Sequence, residues 1–238
     1  MKSARSVRIF TGISIATLAI SAISALAFGT VSASITKIDA FAGIDKRPDK
    51  KSSAINYLLV GSDTREGLTK AELKELRVGS VATAAGKRSD TMLLVHISKA
   101  RDKAVLVSIP RDTFALIPAH VNKAGKTIPA VHSKINSAFN WGGAPLLIQT
   151  IEEMTQLKID HYVEVNFAGF ARVIDSLGGI EVCTKKDIDD PKSHLVLPAG
   201  VHTLNGIEAL KYVRTREFDG LGDIGRMQRQ QAFMSSVL

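Results

Sequence analysis

Arginine and acidic side chains stand side by side at the ends of apolar runs in four short stretches: GSDTREG at Gly61–Gly67, KRSDTMLL at Lys87–Leu94, SIPRDT at Ser108–Thr113 and YVRTREFDGLGDIGRMQRQQ at Tyr212–Gln231. That combination suits a metal-assisted phosphate site. A guanidinium fork binds phosphate oxygens bidentately, whereas carboxylates only accept hydrogen bonds and repel phosphate unless a hard cation such as Mg2+ lies between them. Ordinary surface ion pairs also place such charges at strand ends.

Asp63 follows the apolar run Ile55–Val60, and Asp90 precedes the run Thr91–Ser98. If these runs are antiparallel neighbours, both carboxylates fall at one end of a sheet and can hold one Mg2+, with water and substrate oxygens completing its octahedron. Glu66 is a weaker third acid in the same loop. Each aspartate taken singly also fits a turn or cap that satisfies nearby backbone N–H groups. Pro110 ends a third apolar run and presents Arg111-Asp112 on a rigid exit, where Arg111 either faces substrate or pairs with a surface acid. Arg214 and Arg216 alternate with Thr215, so in an extended segment both guanidiniums point to one face and can grip adjacent phosphates. Arg88, immediately before Ser89-Asp90, adds a fork, and these arginines together suit the charge of a diphosphate leaving group. Gln230 shares a helical face with Arg226 and Phe233, where its amide either meets a phosphate oxygen or is simply solvated.

Other signals are negative. Gly220-Leu221-Gly222-Asp223-Ile224-Gly225 fits G-x-G-x-x-G but follows a charged segment instead of a buried strand, so it reads as a flexible loop. The six histidines form neither H-E-x-x-H nor a zinc-like cluster with Cys183, and no G-x-S-x-G elbow or Walker A loop is present. Serine hydrolase and nucleotide-driven ATPase chemistry are therefore disfavoured.

The elements that must position these residues read as α/β. Ile55–Val60, Thr91–Ser98 and Ala104–Ile109 are compact apolar runs that fit buried strands of a covered sheet better than a half-exposed meander. Thr69–Leu76 is helical in composition, with Thr69 and Glu72 spaced as a capping box. Ala144–Met154 reads as helix, Tyr162–Val165 as strand, Phe167–Leu177 as a helix stopped at Gly178-Gly179, and Ile180–Val182 as extended again, a strand-helix-strand unit. Leu204–Tyr212 is a further helix, starting at Asn205-Gly206. Arg226–Leu238 is the last, and it carries no stop signal, which suggests a fragment or a helix that closes the domain.

Ile9–Thr36 contains no charged side chain and exceeds the roughly 20 residues that span a hydrocarbon core. Lys2, Arg5 and Arg8 precede it, which places the N-terminus in the cytoplasm and the rest of the chain outside. A cleaved signal peptide is the rival, since Ala25-Leu26-Ala27 and Val31-Ser32-Ala33 resemble cleavage sites, but the apolar run is longer than such peptides use. The expected layout is a cytoplasmic head at 1–8, a transmembrane anchor at 9–36, a linker at 37–53 and one extracellular domain at 54–238. The single Cys183 cannot form an internal disulfide, so the domain relies on its core. A net charge of +8 favours an anionic membrane or a phosphate-rich ligand. Export and an aromatic content of 5% argue against nucleic acid.

Taken in order, GSDTREG, RSDTMLLVHIS, SIPRDT, KINSAFNWGG and YVRTREFDGLGDIGRMQRQQ resemble the LytR-CpsA-Psr family over roughly Asn56 to Gln231. The resemblance implies a central mixed sheet covered by helices, with a lipid pocket beside it. It implies a membrane-anchored phosphotransferase that moves a glycopolymer from a polyprenyl-pyrophosphate carrier onto peptidoglycan through a phosphodiester bond, with Mg2+ and with pyrophosphatase side activity when water replaces the sugar. Asp63 and Asp90 would then be metal-associated; Arg88, Arg111, Arg214 and Arg216 would hold pyrophosphate; and Gln230 would complete the cradle. Arg111 is the arginine most needed as charge develops. Asp90 or Asp112 could act as base, although metal ligation competes for the same lone pairs. Two other classes stay open: a transcriptional attenuator, which requires a cytoplasmic domain, and a non-catalytic wall-binding module.

Overall fold

The computed structural model describes residues 36–65, 68–76, 89–122, 124–215, 220 and 222–237. The expected head, the anchor before residue 36, both cleavage-like sites, Glu66, Arg88 and Arg216 lie outside these residues, and Asp90 is described in its backbone alone. Among the described residues no helix is long and apolar enough to cross a membrane.

Strand β1 (Ile55–Ser62) lies inside a four-stranded sheet. It pairs antiparallel with β2 (Ser89–Ile97) on one side and parallel with β8 (His161–Val165) on the other, while β3 (Ala104–Ser108) adds antiparallel to β2. The sheet is therefore mixed. Leu58, Val60, Met92 and Leu94 on one face pack with Ile135, Leu147 and Ile151 of α2 (Ile135–Thr155). The opposite face, with Leu59 and Leu93, lines a cavity whose other side is a second helical layer.

Two expectations about the strands change. Val105 and Val107 of β3 are 52% and 47% exposed because β3 is an edge strand, so the β1–β2–β3 run is a partly exposed meander. The extended stretch after the helix α3 (Phe167–Ser176) is β9 (Ile180–Thr184), which pairs antiparallel with β12 (Gly200–Leu204) instead of rejoining β8, so no βαβ unit forms. A short hairpin of β10 (Ile188–Asp190) and β11 (Leu195–Leu197) lies between them in the chain.

Helix ends follow local chemistry. In α1 (Lys70–Leu76) the box is made as expected, with Glu72 N donating to Thr69 Oγ1 at 3.2 Å and Thr69 N to Glu72 Oε2 at 2.6 Å. Asn205 and Glu208 form a second box at the start of α4 (Gly206–Arg214). Gly206 is required there, since a Cβ would stand 2.2 Å from the Ala171 carbonyl of α3. Helix α2 begins nine residues before the expected Ala144. It is interrupted at Gly143, whose φ of 66° and ψ of −153° are non-helical, so the helix expected from Ala144 is the segment after the kink and residues 135–142 are a helical segment that was not expected. Helix α5 (Gly222–Val237) completes the layer of α3 and α4, with Ile174, Leu210 and Phe233 in its core.

The expected linker is corrected from Ala40 onward, because Ala40 is buried in the core with Phe41 and Ile44 against it. Arg47 covers the Phe41 ring at 4.4 Å and forms a two-pronged pair with the buried Glu152, at 2.7 and 3.1 Å, while also donating to the Ile159 carbonyl. Lys50 pairs with Asp160 at 2.6 Å. Arg47 and Lys50, two of the charges that make this stretch look like solvated linker, have partners near the far end of α2 and just beyond it. Removing Arg47 leaves Glu152, 1% exposed, as an uncompensated buried charge. Arg47→Ala is expected to cost about 3–5 kcal/mol in urea unfolding, against less than about 1 kcal/mol for Lys50→Ala; equally small losses would contradict a stabilising buried Arg47–Glu152 pair.

Candidate functional site

The site begins with strand register. Gly61 faces Thr91 and Ser62 faces Ser89, with a shift between Gly61 and Ser62 that leaves Asp90 as the extra residue of a bulge. Asp63, one residue beyond β1, and Asp90 therefore share one end of the sheet, as the spacing predicts. Beside Asp63, the hydroxyls of Ser62 and Thr64 are buried with no hydrogen-bond partner among the described residues, and so are Nε and Nη1 of Arg65. Unsatisfied buried oxygens next to a carboxylate suit a hard cation, and an unsatisfied guanidinium edge suits an anion. Among the described residues no group of three or more His, Cys, Asp or Glu is gathered for a metal.

Arg111 is held by its backbone. Thr113 N donates to the Pro110 carbonyl at 2.9 Å, closing a tight turn. The first N–H groups of α2, which lack helical partners, donate to Thr113 O at 2.8 Å and Arg111 O at 3.2 Å. The turn is thereby fixed to a helix N-terminus and to the end of β3. Asp112 pairs with Lys134 Nζ at 2.7 Å and more distantly with Arg111 Nε at 3.6 Å. The hydrogen bond from Lys134, with the nearby Lys134 and Arg111 charges, holds the Asp112 carboxyl below the usual range against the opposing effect of burial.

Helix α5 supplies a wall. Gln230 Nε2 donates to Thr91 Oγ1 at 2.9 Å and to the Val213 carbonyl at 3.2 Å, so it ties α5 to β2 and α4. The expectation that this amide donates to a phosphate oxygen is revised, because both of its hydrogens are engaged by the protein. Arg229 Nη2 caps the end of α4 through Thr215 O at 2.5 Å. Arg226, 5% exposed, lies one turn before Gln230.

Two cavities meet at this wall, and both are lined by Thr91, Arg226 and Gln230. The larger, about 500 Å3, lies between the sheet and the second helical layer, with Leu59, Leu93, Phe167, Phe170 and Phe233 around it and Asp63, Lys192 and Arg214 among its polar lining. The smaller, about 210 Å3, is bounded by Ser108, Pro110, Arg111, Asp112, Ile224 and Met227.

Arg214 differs from expectation. It is the last residue of α4 and not part of an extended Arg-Thr-Arg pair; its guanidinium lies 5.1 Å from the Phe167 ring centre, with Nη1 3.5 Å from the Leu76 carbonyl. The structure thus brings Asp63, Arg111, Arg214 and Gln230 around the two cavities. Arg226, Arg65, Ser62 and Thr64 were not singled out from sequence. Arg226 had a usable signal in its helical spacing to Gln230, and Arg65 in its place two residues after Asp63.

The chain belongs to the LytR_cpsA_psr family, which matches residues 26–238. It is similar to the probable cell wall biosynthesis protein LcpB of Corynebacterium glutamicum, 38% identical over 187 residues covering 79% of this chain and 42% of that protein. It is also similar to the polyisoprenyl-teichoic acid–peptidoglycan teichoic acid transferase TagT of Bacillus subtilis, 35% identical over 81% of this chain and 54% of TagT. A solved structure of the LytR-CPS2A-psr family protein YwtF (TagT) with bound octaprenyl pyrophosphate lipid superposes with a TM-score of 0.55 at 28% identity, covering 85% of this chain and 67% of that one. The chain thus spans about half the length of the curated relatives it matches.

The Asp112 pair gives a signed expectation. A lowered carboxyl pKa means that the stabilisation from ionised Asp112 is present above the ordinary carboxylate range and is lost as pH falls through the lowered value. Lys134→Met should move the Asp112 titration upward toward the ordinary value in a carboxylate NMR titration; an unmoved curve would show that Lys134 does not hold it.

Proposed function

We propose that this chain is a membrane-anchored phosphotransferase that attaches a glycopolymer from a polyprenyl-pyrophosphate carrier to peptidoglycan through a phosphodiester bond. The observation that carries the reading is the large apolar cavity with its cationic and acidic polar lining, meeting a second cavity at Thr91, Arg226 and Gln230. Apolar walls suit an isoprenoid chain, and fixed guanidiniums at the end of such a cavity suit its pyrophosphate. The octaprenyl pyrophosphate bound by the similar YwtF (TagT) supports the same assignment. Residues 9–36 would form the anchor, with a cytoplasmic N-terminus and the domain outside.

In this reading Arg226 and Arg111 face the phosphates from the shared wall and from the small cavity, with Arg214 at the large cavity and Arg88 and Arg216 supplied by the neighbouring segments. A sugar hydroxyl of peptidoglycan attacks the phosphorus nearest the glycan, and lipid phosphate leaves. Arg111 stabilises the developing charge without reorganisation, because its turn is already fixed. Asp63 and Asp90, with the Ser62 and Thr64 hydroxyls, would hold Mg2+, which neutralises phosphate charge when bound. Water in place of the sugar gives pyrophosphate hydrolysis.

The test is incubation with a polyprenyl-pyrophosphate glycan, peptidoglycan and Mg2+, with the phosphodiester product read by mass spectrometry. Arg111→Ala should lower transfer about 100- to 1,000-fold, as loss of one preorganised oxyanion donor does, and chelation should abolish it. Product formation by Arg111→Ala at the wild-type rate would contradict the assignment.

A further inference from the structure

The small cavity and the hairpin beside it differ in chemistry from the lipid-sized cavity. In the hairpin of β4 (Phe114–Ile117) and β7 (Val131–Lys134), Phe114 is directly opposite Lys134, so the two side chains share a face. His132 lies on the same face, its ring stacked on Phe114 with centroids 5.3 Å apart and planes at 18°. Phe114 is 73% exposed. From this aromatic pair the Lys134 ammonium reaches Asp112 Oδ1 at 2.7 Å, and Asp112 lines the small cavity. A single strip therefore runs from His132 and Phe114 through Lys134 to Asp112 and ends where Arg111 and Arg226 are.

An aromatic face that ends at a carboxylate and an ammonium matches the surface of a pyranose. Its C–H face packs on the ring, its hydroxyls donate to the carboxylate, and its ring and amide oxygens accept from the ammonium. A cavity of about 210 Å3 holds several water molecules, which is room for one sugar ring. Placement agrees with reaction geometry. An in-line displacement brings the nucleophile in opposite the leaving group. With the lipid in the large cavity and the phosphates at the wall of Thr91, Arg226 and Gln230, the opposite side is the small cavity.

We infer that the small cavity and the Asp112–Phe114–His132 strip form the acceptor subsite, which binds one uncharged hexose unit of a glycan strand with its hydroxyl directed at Asp112. This rests on the phosphotransferase reading above. The hydroxyl oxygen forms the new P–O bond while the bond from that phosphorus to the lipid phosphate breaks, leaving its electron pair on the departing oxygen. Asp112 accepts a hydrogen bond from the hydroxyl and takes its proton once the P–O bond has formed, then passes it to solvent. A carboxylate kept ionised by Lys134 suits that late transfer and is too weak to deprotonate a free alcohol. Lys134 positions Asp112.

Two measurements on the 238-residue chain in detergent test the subsite. The first is binding of N-acetylated chitotetraose by NMR, with Phe114→Ala expected to weaken it at least about tenfold and Phe114→Tyr to retain it. Equal binding by wild type and Phe114→Ala, or no binding by wild type, overturns the subsite. Phe114-dependent binding to phosphatidylglycerol vesicles without glycan binding also overturns it and makes the strip a membrane contact. The second is steady-state transfer, where Asp112→Asn should raise the acceptor KM about tenfold while octaprenyl pyrophosphate affinity stays within twofold; loss of that affinity instead would put Asp112 in the donor site and overturn the inference. Failure of the parent reading looks different: wild type would not bind octaprenyl pyrophosphate, while Phe114-dependent glycan binding would persist and support the glycan site.

Discussion

The antiparallel register of β1 on β2 is the constraint on which the site depends. Gly61 opposite Thr91 allows the two backbones to approach so closely that a Cβ at Gly61 would stand 3.1 Å from that of Thr91. The bulge that follows puts the Asp63 turn and the Asp90 backbone at one sheet end. It also sets Thr91 on the face turned toward the second helical layer, where its hydroxyl receives Gln230. A slip of one residue would turn Thr91 and Leu93 to the other core and remove the landing point of α5.

From that point the rest follows as a chain of fixed parts. Gln230 ties α5 to β2, Arg229 ties α5 to the end of α4, and Arg226 is held one turn away at the wall between the two cavities. On the other side the N-terminus of α2 fastens the Arg111 turn. The arginines are thus positioned by groups whose backbone or amide bonds are already made, which is the arrangement preorganised stabilisation of a departing phosphate requires. The apolar cavity is the complement of this rigidity, since Phe170 and Phe233 meet at 5.5 Å on the helical layer that faces the sheet.

Much of this was legible in the chain because local chemistry and tertiary structure agree. The runs of β1 and β2, the Thr69–Glu72 box, the Asn205 start of α4 and the Pro110-Arg111 exit each carry their own physical signal, and the ordered motifs named the family. What was not legible depends on partners distant in sequence. Residues 40–50 look like linker until Glu152 and Asp160 are placed beside Arg47 and Lys50. The β4–β7 hairpin has short strands with little apolar alternation, so Phe114 gave no signal of its surface role. Arg214 falls inside a helix because the capping box at Asn205 starts a segment that reaches it, and alternation with Thr215 alone could not reveal that. Gln230 was found as a site position, but its partners on β2 and α4 are invisible in helical spacing.

The central claim is that the large cavity holds the lipid with its pyrophosphate at the shared wall. The most direct measurement is photolabelling of the chain with a polyprenyl pyrophosphate carrying a photoreactive group in its isoprenoid tail, followed by peptide mapping. Labels are expected on α3 around Phe167–Val173 and on α5 around Phe233-Met234, competed away by unlabelled lipid pyrophosphate. Labels confined to the β4–β7 hairpin, or labelling that excess lipid pyrophosphate does not reduce, would contradict it.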